Sequence, residues 1–281
     1  MLGRTTAHLF HRLANTGAGQ VRLFGSTDVT RMLSSATTQT SSTTKWKTSY
    51  SAISFDEAEK RLGIQFDQIK MVSLEKMLGG EVDSKRYDGI KEVVYSRIIE
   101  YLNIEGLPGM SNDFKEANVS DLVLYTIGPI LDAVCKMGRR IRLQREKELV
   151  SVDCVTGGRE EFVIIDKIDV GEKKFVLIIE TKRTSLHEGM KQILLSLKDA
   201  RDNNGGGTVY GFVTTGELWQ MLSYDGVLFQ STRKFLSLLE VMEEDKESWM
   251  KECSVIVDCM VAALENGGRV ARKVVGRKDS S

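Results

Sequence analysis

Five consecutive apolar residues, Phe175-Val176-Leu177-Ile178-Ile179, run directly into Glu180-Thr181-Lys182. A run without a polar residue does not alternate as a half-exposed strand does, so it reads as a central strand covered on both faces. Charge beside a core is costly unless it is partnered. A carboxylate and an ammonium two residues apart at the end of such a strand point to the same side of the sheet. The pair is therefore a candidate for holding a metal ion and orienting a water beside a phosphate.

The rest of the composition limits what the chain can be. Its 281 residues are 41% hydrophobic and 28% charged, which predicts a packed core rather than disorder. Bases and acids both number 39, so any surface for a polyanion is a local patch. Cys135, Cys154, Cys253 and Cys259 form no C-x-x-C pair and read as reduced core thiols. Of three histidines, His8 and His11 lie in a segment of unusual composition, leaving only His187. That excludes Ser-His-Asp catalysis and histidine-rich metal sites from the main body of the chain. The most apolar helical stretch, Leu122 to Ile141, carries Asp132, Lys136, Arg139 and Arg140 and contains Pro129, so no membrane span is expected.

Residues 1–45 carry Arg4, Arg12, Arg22 and Arg31 against the single acid Asp28 and end in a Ser/Thr-rich tract. Arg-rich, Ser-rich, acid-poor composition is that of a mitochondrial transit peptide. Arg31-Met32-Leu33-Ser34 is similar to a matrix-processing site. The expectation is import to the mitochondrial matrix. The competing reading is a low-complexity arm without a sorting role.

Beyond the arm, residues 46–118 read as a helical extension. Ser54-Phe55-Asp56-Glu57 opens a first helix as a capping box, and Ile90 to Leu102 keeps a helical period. Residues 119–266 read as an α/β core, starting with a helix over Ser120–Met137. Strands follow over Ile141–Val152, Glu161–Ile168 and Lys173–Lys182, with Gly157-Gly158 as a turn and Asp169–Glu172 as a hairpin loop. Ser185-Leu186-His187-Glu188 reads as a capping box opening a helix to about Arg201. Strands over Thr208–Thr214 and Leu218–Tyr224, a short edge strand over Val227–Gln230, and an amphipathic helix over Lys246–Glu265 complete the core. The tail, 267–281, is basic. The fold class is α/β, a mixed central sheet flanked by helices.

A hairpin centred between Val170 and Gly171 places Glu161 opposite Glu180 and Arg159 opposite Lys182. Opposed side chains have Cβ atoms about 5 Å apart. Carboxylates that close repel unless a cation lies between them, and a hard divalent cation takes oxygen ligands. A one-residue slip would bring Glu160 opposite Glu180 instead.

The helix, three strands, helix, strand order, with an acid on the second strand and Glu-x-Lys on the third, resembles the PD-(D/E)xK nuclease superfamily over roughly Ser120 to Tyr224. It is most similar to divergent members in fungal families and crinkler-type effectors, which share a strand like Gly211–Gly216, a following Trp219 and a Tyr224-Asp225-Gly226 turn. The resemblance implies a restriction-endonuclease-like αβββαβ core that binds Mg²⁺ or Mn²⁺ and acts on nucleic acid. It implies that Glu161 and Glu180 bind the metal, that Lys182 orients or activates the water, and that Gln192 supports the site. The family's second-strand acid is usually Asp, so Asp153 and Asp166 compete with Glu161. Asp166 falls on the opposite face from Glu180 in this register, and Asp153 requires another strand arrangement. The rival reading is a catalytically inactive binding or scaffold protein on the same fold. A basic run from Lys136 to Lys147 and the C-terminal bases could neutralise phosphates.

Overall fold

The computed structural model describes residues 45–269, apart from 79, 81–83, 109–113 and 168–171. The arm, most of the basic tail and most of the expected 169–172 loop lie outside the described residues.

The elements run in the order β1 (Thr48–Ser49), α1 (Phe55–Leu62), β2 (Lys70–Met71), α2 (Leu74–Leu78), α3 (Asp88–Glu105) and α4 (Glu116–Lys136). Next come β3 (Ile141–Val150), β4 (Thr156–Lys167), β5 (Lys173–Thr181), α5 (Leu186–Asn203), β6 (Val209–Thr214) and β7 (Leu218–Tyr224). The chain closes with β8 (Phe229–Ser231), β9 (Phe235–Leu236), α6 (Lys246–Ser248), a π-helical turn (Trp249–Cys253) and α7 (Val255–Asn266).

All nine strands join one mixed sheet, in the order β1-β4-β5-β6-β7-β8-β2, with β3 on β4 and β9 on β7. The expected class, a mixed sheet between helices, is what forms. β3, β4 and β5 are an antiparallel meander. α5 then carries the chain over the sheet, and β6 pairs parallel to β5, as a crossover through a helix allows.

Each face of the sheet has its own core. One holds Phe162, Ile164, Ile179 and Phe212 under α3, α4 and α7. The other holds Val163, Ile178 and Val213 under α5 and α1. Val176, Leu177, Ile178 and Ile179 of β5 are fully buried between the two. At roughly 1.5–3 kcal/mol for each buried side chain, these four residues, not the charges that follow, fix where β5 runs.

Local signals hold where chemistry forces them. Ser54 Oγ accepts from the Glu57 amide and Glu57 Oε2 accepts from the Ser54 amide, both at 3.2 Å, closing the capping box of α1. At the start of α5 Ser185 Oγ accepts from the His187 amide, an N-cap, without the reciprocal Glu188 bond, among the described residues, that the expected capping box requires.

Other expectations fail for physical reasons. The extension is not purely helical: β1 pairs with β4 and β2 with β8. Two-residue strands carry no periodicity for a sequence to display. Gly157-Gly158 is no turn but part of β4, because the rings of Trp46 and Tyr50 lie against these positions. A Cβ on either glycine would meet them at 2.7 and 2.4 Å. The turn lies over residues 151–155 instead. Pro129 does not interrupt α4, whose buried Leu122, Val123, Ile127, Ile130 and Val134 pack on the sheet. α4 is also the one described helix long and apolar enough to cross a membrane. The last expected helix is broken by the π turn into α6 and α7. The edge strand begins at Phe229, with Val227 left 81% exposed in the turn.

Candidate active site at the end of strand β5

β5 ends beneath the first turns of α4 and α5, and there a cavity of about 450 Å³ opens. Glu161, Glu180, Lys182 and Gln192 all line it. Three elements bring them together: β4, the end of β5, and the second turn of α5. The register expected for this end of the hairpin holds, with Phe162 opposite Ile179 and Val163 opposite Ile178. Glu161 and Glu180 lie one step beyond. Nearer the turn the pairing slips by one residue, so Ile165 opposes Phe175.

Glu180 is buried, 5% exposed. Burial pushes its carboxyl up, and the Lys182 ammonium works against that shift. Lys182 Nζ donates to Glu180 Oε1 at 2.5 Å and lies 3.6 Å from Glu116 Oε1 on α4. Its backbone amide donates to Thr214 O of β6 at 2.9 Å, which anchors the residue just past the strand. Burial lowers the affinity of Lys182 for its proton, but Glu180, Glu116 and Glu161 together outweigh it, and its pKa ends raised. The side chain is therefore an ammonium at neutral pH, a donor and not a base.

Glu161 is half-buried and accepts a hydrogen bond from Thr181 Oγ1. Burial raises its pKa to about 7; the Thr181 bond opposes the rise and Glu180 adds to it. Its neighbour Glu160 lies deeper, 1% exposed against α5, with the Ser196 hydroxyl, which donates to Gln192 O at 2.8 Å, beside it. Burial first, then repulsion from Glu180, holds the Glu160 carboxyl well above the usual carboxylate range. Its Oε2 has no hydrogen-bond partner among the described residues. The two registers weighed from the sequence thus merge, since Glu160 and Glu161 both come within electrostatic range of Glu180.

The competing acids are structural. Asp153 forms a two-pronged pair with Arg61 at 2.9 and 3.1 Å in the β3–β4 turn. The Arg61 and Ser151 hydrogen bonds hold its carboxyl far below the usual range. Asp166 pairs with Arg139 at 3.0 Å, towards the opposite end of β4. His187 stacks on Phe55 at 4.7 Å, exposed and outside the lining of the cavity.

Sequence reasoning missed Glu116 and Glu146 as members of the wall, which also holds Arg159, expected opposite Lys182, and Arg145 of the expected basic run. The β3–β4 ladder pairs Arg145 with Phe162 and Lys147 with Glu160, which leaves Glu146 opposite Glu161. Glu146 has φ +50°, a left-handed conformation that costs a non-glycine residue about 1–3 kcal/mol and that collects at functional sites. Only the strand register, once known, could have revealed Glu146. Arg145 reaches over the Phe162 ring at 5.1 Å and stands 3.9 Å from Asp121.

Glu161, Glu180 and the Gln192 amide form an all-oxygen donor set, as a hard divalent cation requires. Two carboxyls with raised pKa values and the orphaned Glu160 oxygen behind them mark a place where positive charge would relieve repulsion. The donor types suit such an ion. Among the described residues, no group of three or more His, Cys, Asp or Glu stands at full coordination spacing. An ion here would complete its shell with water and substrate oxygens, as Mg²⁺ commonly does. No protein-family model matches the chain, and no curated protein matches it either.

Proposed function

We infer that the protein is a metal-dependent nuclease, hydrolysing phosphodiester bonds in DNA or RNA on a core of the PD-(D/E)xK type. The observation that carries this reading is the convergence of Glu161, Glu180, Lys182 and Gln192 on one cavity at the end of the buried strand β5. The order α4-β3-β4-β5-α5-β6, with β6 parallel to β5, supports a restriction-endonuclease-like core.

Glu161 and Glu180 would hold Mg²⁺ or Mn²⁺, which when bound polarises a scissile phosphate and lowers the pKa of a bound water. Lys182 keeps its proton and donates to a phosphate oxygen, where it stabilises the negative charge that develops during attack. Gln192 orients the attacking water through its amide. Arg145 and Arg159, on the wall of the cavity, meet flanking phosphates. The Arg- and Ser-rich arm supports delivery to the mitochondrial matrix, and a fluorescent fusion of residues 1–45 would test that address.

One observation favours a second reading, a non-catalytic binding or scaffold protein. Lys182 already neutralises Glu180 at 2.5 Å, so the site is partly satisfied without a cation. Cleavage of labelled single-stranded DNA, duplex DNA and RNA by the purified chain under Mn²⁺ separates the two. The nuclease reading expects cleavage by the wild type and a loss of about 10²–10³-fold in Lys182→Ala. Equal, negligible cleavage by both proteins would leave the scaffold reading standing.

A further inference from the structure

A cavity of about 930 Å³ lies away from the β5 site, at the far end of the sheet order. It opens between β9, the β8–β9 connection, α2 and the π turn. Its floor is apolar, built from Val72, Leu74, Leu218, Phe235, Leu239 and Val255. Met71 and Leu236 carry that apolar surface to the rim, where they are 66% and 44% exposed.

Three observations single out this cleft. Its volume lies at the upper end of the range that small molecules occupy, and mostly apolar walls with a few polar groups at one end are how such sites are built. The rim is cationic: Arg233 and Lys234 stand exposed on the β8–β9 connection, and Lys251 projects from the π turn. Among the described residues neither Lys234 nor Lys251 has an ion-pair partner. Arg233 is near enough to Glu75 to help hold that carboxyl below its usual range, after the stronger effect of the hydrogen bonds at the start of α2. Finally, the wall itself is a π-helical turn, Trp249–Cys253, a conformation that recurs at functional sites.

We propose that this cleft binds a single-chain amphiphile with a carboxylate head, a long-chain fatty acid or its close chemical relative. The chain lies on the apolar floor and the head meets Arg233, Lys234 and Lys251. Glu75 and Glu252 also line the cleft, leaving an excess of one positive charge. That balance suits a singly charged carboxylate and opposes a dianionic phosphate.

The test titrates the full chain with decanoate, laurate and myristate below their micellar concentrations, followed calorimetrically, with dodecanol and dodecyl phosphate as head-group controls. The proposal expects saturable binding that tightens by up to about fourfold for each added methylene, the factor set by burying one. It also expects dodecyl phosphate to bind more weakly than laurate. In Arg233→Glu/Lys234→Glu, laurate should weaken at least tenfold while dodecanol binds as before. Leu239→Trp, which fills the floor, should abolish both. Absence of saturable binding, affinity indifferent to chain length, or equal binding of laurate by the charge-reversed variant would overturn the proposal.

Discussion

Asp199, on α5, and Glu160, on β4 against α5, are two carboxyls buried to the same degree, each 1% exposed. Their surroundings differ completely. Asp199 Oδ2 accepts from Tyr50 Oη at 2.7 Å and from Thr156 Oγ1 at 3.2 Å, and Arg61 stands 3.9 Å from its other oxygen. Glu160 has Ser196 on one side, Glu180 repelling it on the other, and an oxygen without a partner. The first arrangement ties β1, α1 and β4 to α5 and gives the carboxylate its partners, with only Arg61 Nε left unbonded among the described residues. The second stores unfavourable interaction at the back of a cavity, which a folded protein retains where function requires it. Equal burial thus accompanies opposite roles, and the partners decide which.

Mutations should separate the two regions. The largest effect is on rate: Lys182→Ala raises the cleavage barrier by about 3–4 kcal/mol, read as kcat/KM under saturating Mn²⁺. Next is Asp199→Ala, which strands the Tyr50 hydroxyl, Thr156 and the Arg61 charge and should cost about 2–4 kcal/mol in urea unfolding. Glu160→Gln has the opposite sign. It removes a buried carboxyl that repels Glu180, so the metal-free protein should gain up to about 1 kcal/mol. A loss comparable to that of Asp199→Ala would show that Glu160 belongs to a satisfied network after all.

The smallest effect is on pH. The Glu161 carboxyl titrates near 7 in the folded chain against an ordinary 4.5, so between those values the folded state binds more protons than the unfolded one. Stability of the metal-free protein should therefore fall as pH rises from about 4.5 to 7. Mn²⁺, which takes the ionised form, should reverse the fall above pH 7. Melting curves with and without Mn²⁺ across pH 4.5–8.5 check this, and parallel curves would remove Glu161 from the ion's shell.

β5 was legible in the sequence because five consecutive apolar residues leave a strand nowhere but the middle of a covered sheet. Glu180 and Lys182 followed from its end, but the register that brings Glu161 beside Glu180 holds only beyond the slip between Ile164 and Ile165, which the sequence did not mark. The rest depended on contacts between distant segments. Gly157-Gly158 looks like a turn until Trp46 and Tyr50 are known to lie on it. Consecutive Glu160 and Glu161 cannot be ranked from sequence, since one residue of register exchanges their roles. Glu146 joins the wall only through a left-handed backbone that no local pattern marks. Asp153 and Asp166 lost their candidacy to arginines 92 and 27 residues away along the chain.

The central claim is that the carboxyls at the end of β5 hold a divalent cation. Calorimetric titration of Mn²⁺ into the wild type, Glu180→Ala and Asp199→Asn tests it directly. One saturable site in the wild type and in Asp199→Asn, lost in Glu180→Ala, is the expected result. Identical titrations for the wild type and Glu180→Ala, or no binding to either, would contradict it.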